Sequence, residues 1–213
     1  MRMSKLAGTL RHRFLMAIEP LRVVDKVMLG KALALAEQVH AEQFRRPSRS
    51  EGKKGAPFIV HPMRVALIII EELELKEPLA LAAALLHDTV EMSGGRVTVG
   101  LIEETFGRPA AMMVSILSMP PLAATASAAE RDQKLKIYQE RISHASVETK
   151  LVKLADRLDN TREACDLLDK AFQQKMLDEG RGFYLPLAET TDYYLYEELN
   201  LALETLDKKI KFS

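Results

Sequence analysis

Apolar residues recur at three- and four-residue steps from Val23 to Phe44, at Val24, Met28, Ala32, Leu35 and Val39, with charge on the opposite side. That spacing predicts an amphipathic helix with His40 near its end. Beyond a polar loop, His61-Pro62 puts proline where a helix's first turn tolerates it, and Met63 to Leu73 reads as a buried helix with His61 as its cap or opening residue. Pro78 opens a helix through LALAAALLHDTVE, which is apolar on all sides and therefore central to the fold. Gly94-Gly95 stops it.

Thr98 with Glu103-Glu104 behind it starts a helix that ends at Phe106-Gly107, and Pro109 sits in the first turn of the next. Glu130 to Ile142 and Val147 to Cys165 are both amphipathic. From Leu167 onward a helical pattern alternates with breaks at Gly180, Gly182 and Pro186. No useful period-two stretch and no internal repeat interrupts these segments, so the expected class is all-α, a compact multi-helix fold.

With 213 residues, one domain spanning 1–213 is expected, a motif-bearing core at about 23–165 followed by a helical tail at 166–213. The stretches Pro47 to Pro57, Met92 to Gly100 and Met119 to Ala129 read as loops within it. Thirty basic residues balance thirty acidic ones, which argues against a general nucleic-acid binder and for a small partner. The one cysteine, Cys165, cannot form an intramolecular disulfide. Arg11, His12, Arg13 and Glu19 interrupt the N-terminal segment before it reaches signal-peptide length, and Leu79 to Leu86 is too short to span a bilayer. A cytoplasmic protein with no membrane partner is expected; oligomeric state is not legible.

Charged groups rarely face a core unless they are paired or metal-bound. Yet His87 and Asp88 end the most hydrophobic helix, Asp156 interrupts the apolar LVKLA face of another, and His61 heads a third. Adjacent helical residues point about 100° apart. His87 and Asp88 can therefore share an ion only if it lies beside their helix and draws other ligands from elsewhere, for which His61 and Asp156 are candidates. Imidazole with carboxylate suits manganese, iron or zinc, and octahedral geometry leaves positions for water and a substrate phosphate. Glu91, one turn beyond His87, is the candidate base. Each residue also has a plainer reading: His61-Pro62 as a cap, Asp156 paired with Arg157 or Lys153, Glu91 as an exposed helix-end charge. The combination favours a metal site.

The motifs VHAEQFR, GAPFIVHPMRVA, AALLHDTVE, the Phe106-Gly107 turn and KLVKLADRLDN, in this order over roughly Val23 to Cys165, resemble the hydrolase domain of RelA/SpoT proteins, above all their small stand-alone relatives. The resemblance implies the HD-domain phosphohydrolase fold and a manganese-dependent enzyme that removes the 3′-pyrophosphate of guanosine tetra- or pentaphosphate, leaving GDP or GTP. It implies His61, His87, Asp88 and Asp156 as metal ligands, and Glu91 as the first of two acidic residues associated with hydrolysis. It also implies Arg45 and the Lys53-Lys54 pair as a basic loop near substrate phosphates, and Asn160 as a residue near the nucleotide. Asn160 follows Asp156 by four residues and shares its helix face. The basic loop, taken without the resemblance, reads as a solvated one.

The chain departs from the family at Met92, which stands where the second acidic residue is usual, at Gly94-Gly95, and at Phe58 in place of a tyrosine. A thioether cannot act as a base. Two alternatives follow: hydrolysis of another nucleotide, such as the 2′-phosphate of NADPH, or a catalytically impaired nucleotide-binding regulatory domain. No synthetase region follows within the 213 residues, so alarmone synthesis is not expected.

Overall fold

The computed structural model describes residues 4–50, 54–119 and 125–212, and among them all helices and no strands are found. α1 (Lys5–Ala17) is capped by Ser4, whose hydroxyl accepts from the Ala7 amide, and buries Ala7, Leu10 and Phe14. α2 spans Val23–Val39 and buries Leu29, Ala32, Leu33 and Ala36. It is shorter than the hydropathy pattern predicts: His40, at φ −94° and ψ 10°, leaves the helix, and Gln43 to Arg45 bond back to Phe58 and Ala56.

α3 runs Val60–Leu67 and continues as a π-helical turn, Ile68–Glu72. His61 therefore lies inside its first turn. α4 (Pro78–Leu86) has proline at its start and every residue from Ala80 to Leu86 fully buried. It packs against α2, α3, α7 (Arg108–Leu117) and α9 (Val147–Ala164). Leu85→Ala is expected to cost about 2–5 kcal/mol, because the surrounding helices cannot close on the void. A fall in the urea midpoint without a change in slope measures it.

The expected continuation of α4 through Glu91 does not form. The helix ends at Leu86, and α5 (Thr89–Met92) starts anew. The Thr89 hydroxyl donates to the Leu86 carbonyl at 2.7 Å and the His87 ring bonds the Ala84 carbonyl, so side chains take acceptors that the helix's own amides leave. Positive φ values of 65° and 85° at Gly94 and Gly95 then end the segment.

α6 (Val99–Phe106) is capped by Thr98, and α8 (Ala128–Ser143) opens with a capping box between Ser127 and Glu130. α10 (Lys170–Glu179), a second π-helical turn (Gly180–Tyr184), α11 (Leu185–Glu189) and α12 (Tyr193–Phe212) make up the tail. This tail is not an appendage: Tyr184, Leu195, Leu199, Leu203 and Leu206 join the same buried apolar cluster as Phe14 of α1 and Leu85 of α4. A Cβ on Gly180 would stand 2.4 Å from the Leu203 methyl, so glycine is what lets α12 approach so closely.

Candidate metal centre

Three helices bring His61, His87, Asp88 and Asp156 to one buried point. His61 comes from the first turn of α3, Asp156 from the middle of α9, and His87 and Asp88 from the break between α4 and α5. His61 Nε2 lies 3.3 Å from His87 Nε2 and 3.0 Å from Asp156 Oδ1. His87 Nε2 lies 3.2 Å from Asp88 Oδ2 and 3.7 Å from Asp156 Oδ1. The break matters here: it turns the two neighbours His87 and Asp88 toward each other, which a continuous helix would not do.

The donor chemistry fits a cation. His87 Nδ1 lies 2.8 Å from the Ala84 carbonyl and His61 Nδ1 lies 2.6 Å from Asp159 Oδ2. Both partners only accept, so both Nδ1 atoms carry the hydrogen and both Nε2 atoms present lone pairs. Two lone pairs and two carboxylates facing one point repel one another unless positive charge sits among them. One further cation is already in place: Lys153 Nζ, on the same helix, lies 2.8 Å from Asp156 Oδ2. Asp156 is thereby held well below the ordinary carboxylate range despite burial, with Lys153 the main counterweight, and Lys153 is held well above its ordinary value.

Without a metal, protons must serve. Burial opposes the imidazolium of His87, but the Asp88 and Asp156 carboxylates outweigh it and raise its pKa from 6.5 to about 9. A pKa raised on folding stabilises fully below the unfolded value and is lost as the pH climbs through the folded one. Metal-stripped protein is therefore expected to lose stability between pH 6.5 and 9, by at most about 1.4 kcal/mol per pH unit. Urea midpoints that stay level across this window would contradict the charge arrangement.

The other residues singled out in the sequence lie around this point. Asn160 donates to Asp156 Oδ1 at 2.5 Å and accepts from Arg45 Nη2 at 2.5 Å, so it links the cluster to the basic loop. The Arg45 guanidinium also pairs with Glu163 and stacks over Phe58, 5.1 Å from the ring centroid. The Arg45 side chain is only 12% exposed, so the plainer reading of a solvated loop does not hold for it. Gly55 makes this placement possible: at φ 73°, a Cβ there would meet the Arg45 carbonyl oxygen at 2.3 Å. Lys54 is exposed, its ammonium 4.1 Å from the Phe44 ring; Lys53 lies outside the described residues. A cavity of about 150 Å³ beside Arg45 and Asn160 is lined also by Phe44, Arg46, Phe58 and Phe172.

The helix that would have set Glu91 one turn beyond His87 breaks between them. The Glu91 carboxylate accepts from the Met119 amide at 2.5 Å and opens on a cavity of about 700 Å³ with Ser118, Lys134 and Arg141. Burial and the nearby Asp88 charge raise its pKa, and the Met119 amide works against them. Met92 presents its carbonyl to Gln43, which in turn holds His40, a buried imidazole stacked on Phe58.

Sequence reasoning missed Asp159, Arg64 and Glu163, and named Lys153 only as a partner for Asp156, the place it takes here. All but Arg64 belong to α9, where polar residues at 153, 156, 159, 160 and 163 recur at three- and four-residue steps. That periodicity marks one polar stripe on a helix whose Leu154, Ala155 and Leu158 are buried, and it was the available signal.

Comparison with known proteins adds the following. Residues 32–193 match the HD domain family. The chain is 31% identical over 167 residues to a GTP pyrophosphokinase of Myxococcus xanthus, covering 77% of this chain and 20% of that one. It is 36% identical over 127 residues to the guanosine-3′,5′-bis(diphosphate) 3′-pyrophosphohydrolase MESH1 of Danio rerio, covering 58% of this chain and 64% of the relative. The MESH1 of Xenopus tropicalis is 28% identical over 159 residues, 73% of this chain and 79% of its own. The chain thus spans about a fifth of the first of these relatives and under two thirds of the second. A solved structure described as a metazoan ortholog of SpoT that hydrolyses ppGpp superposes with a TM-score of 0.68 at 23% identity, covering 83% of this chain and 94% of that one.

Proposed function

The chain belongs to the HD domain family, whose match covers residues 32–193, and from that premise we propose that it is a manganese-dependent hydrolase that removes the 3′-pyrophosphate from guanosine tetra- or pentaphosphate. The observation that carries this reading is the convergence of two imidazole nitrogens and two carboxylates, from His61, His87, Asp88 and Asp156, with ligand atoms of His61, His87 and Asp88 all within 4.8 Å of one another. A divalent ion bound there supplies charge neutralisation at a phosphoryl oxygen and lowers the pKa of water.

The chain's own residues do the rest. His61, His87, Asp88 and Asp156 hold the ion. Glu91, whose carboxyl is pushed up by burial, accepts one proton of the attacking water as the water oxygen bonds to phosphorus and the bond to the 3′ oxygen breaks; the 3′ oxygen takes a proton from solvent, leaving GDP or GTP and pyrophosphate. Asn160 orients the nucleotide from beside Asp156. Arg45 exchanges Glu163 for a substrate phosphate, a bidentate partner that suits its fork. Lys53 and Lys54 supply positive charge for the substrate phosphates. One domain over 1–213 is part of this reading, supported by an apolar cluster that runs from Ala7 to Leu206. So is a cytoplasmic setting; among the described residues no helix is long and apolar enough to cross a membrane.

The test is incubation of purified protein with manganese and guanosine tetraphosphate, with GDP and pyrophosphate as the products to be measured. Turnover no greater than that of a His87→Ala, Asp88→Ala double variant would overturn the proposal. Met92 favours one second reading: without a second acid at the position after Glu91, the preferred substrate is another phosphorylated nucleotide, such as the 2′-phosphate of NADPH. A substrate panel decides between them.

A further inference from the structure

α3 turns two polar side chains, His61 and Arg64, toward one carboxylate of α9. Asp159 is buried; its Oδ2 accepts from His61 Nδ1 at 2.6 Å, and its Oδ1 lies 2.7 Å from Arg64 Nε. The second imidazole is held otherwise, since His87 Nδ1 donates to the neutral Ala84 carbonyl within its own segment. The two rings stand edge to face, 5.1 Å between centroids, with only His61 backed by an ionised group.

We propose that Asp159 is a positioning residue of the metal centre: it fixes the His61 tautomer and ring orientation so that Nε2 faces Asp156, and its charge makes that nitrogen a stronger donor. This rests on reading the cluster as a metal site. A carboxylate that accepts from the far nitrogen of a ligating histidine does both things at once, because it leaves the hydrogen nowhere else to go and withdraws positive charge through the ring. Arg64 has a different duty. A carboxylate buried between helices is costly without a counter-ion, and Arg64, one turn past His61, supplies one.

The competing account makes Asp159 a mere ion-pair tether between α3 and α9. The two accounts diverge on Arg64. The dissociation constant for Mn²⁺ is measured by chelator competition on metal-stripped wild type, Asp159→Ala, Asp159→Asn and Arg64→Met, with the melting temperature of each metal-free protein alongside. Asp159→Ala is expected to weaken binding by about a hundredfold and Asp159→Asn, which keeps an acceptor but no charge, by about tenfold, the range seen for outer partners of metal ligands. Arg64→Met is expected to melt lower while binding Mn²⁺ nearly as well as wild type. Equal affinity in wild type and Asp159→Ala overturns the inference, as does an Arg64→Met loss as large as that of Asp159→Ala. Should Asp159→Ala fail to fold, Asp159→Asn decides: a tenfold loss supports it and unchanged affinity overturns it. Wild type that binds no Mn²⁺ overturns the metal reading itself, and this inference with it.

Discussion

Asp88→Ala is expected to weaken metal binding by more than about a hundredfold, beyond what changes in outer partners cost, and to take hydrolysis of guanosine tetraphosphate down with it. Asp88 is the most exposed of the four ligands proposed, with 23% of its side chain accessible, against 7% or less for the others. It caps a helix of four residues without making a side-chain capping bond, so its removal opens no void in the core. Its loss relieves repulsion from Asp156 but also removes the stronger attraction to the His87 ring. The metal-free variant should therefore stay folded, and loss of activity cannot be laid to unfolding. Elemental analysis after desalting, with circular dichroism as the control, measures both. A variant that keeps about one ion per chain would remove Asp88 from the ligand set.

Glu91→Gln is expected to lower kcat by about 10²–10⁴ while metal content stays unchanged, the usual contribution of a positioned base. Glutamine can still accept from the Met119 amide, so the loop geometry is kept and only the proton acceptor is lost. The next position in the chain, Met92, offers a thioether and cannot take the place of Glu91 as a base. The raised pKa of Glu91 suits the task, since a carboxylate is a better base the closer its pKa lies to the working pH. A variant with wild-type kcat would show that the proton goes elsewhere, and would shift weight to the second substrate reading.

Helix starts were the most legible part of the fold. Pro78, Thr98 and Pro109 act within one turn, so neighbouring residues decide them. The break at His87 was hidden for the converse reason. Thr89 and Val90 continue the apolar pattern, and only the side-chain bonds of Thr89 and His87 to preceding carbonyls end the helix. The π-helical continuation of α3 carries no proline or glycine to announce it.

The same division runs through the site. His61, His87, Asp88 and Asp156 stood out because each polar group sits in an apolar run. Asp159 and Glu163 looked like the solvated side of an amphipathic helix, and their partners come from chain far away. Arg45 meets Glu163 across 118 residues, and His61 meets Asp159 across 98. No local pattern encodes such partners.

The proposed ligands stand on segments far apart in the chain, His61 and His87 alone being 26 residues apart. An ion held among them binds the folded chain and not the unfolded one, so it acts as a removable staple. At a hundred times its dissociation constant, free metal adds about 2.7 kcal/mol to the cost of unfolding. The cell's metal supply would then govern two things through one site: how fast the enzyme turns over, and how long each copy withstands the proteases that clear unfolded chains.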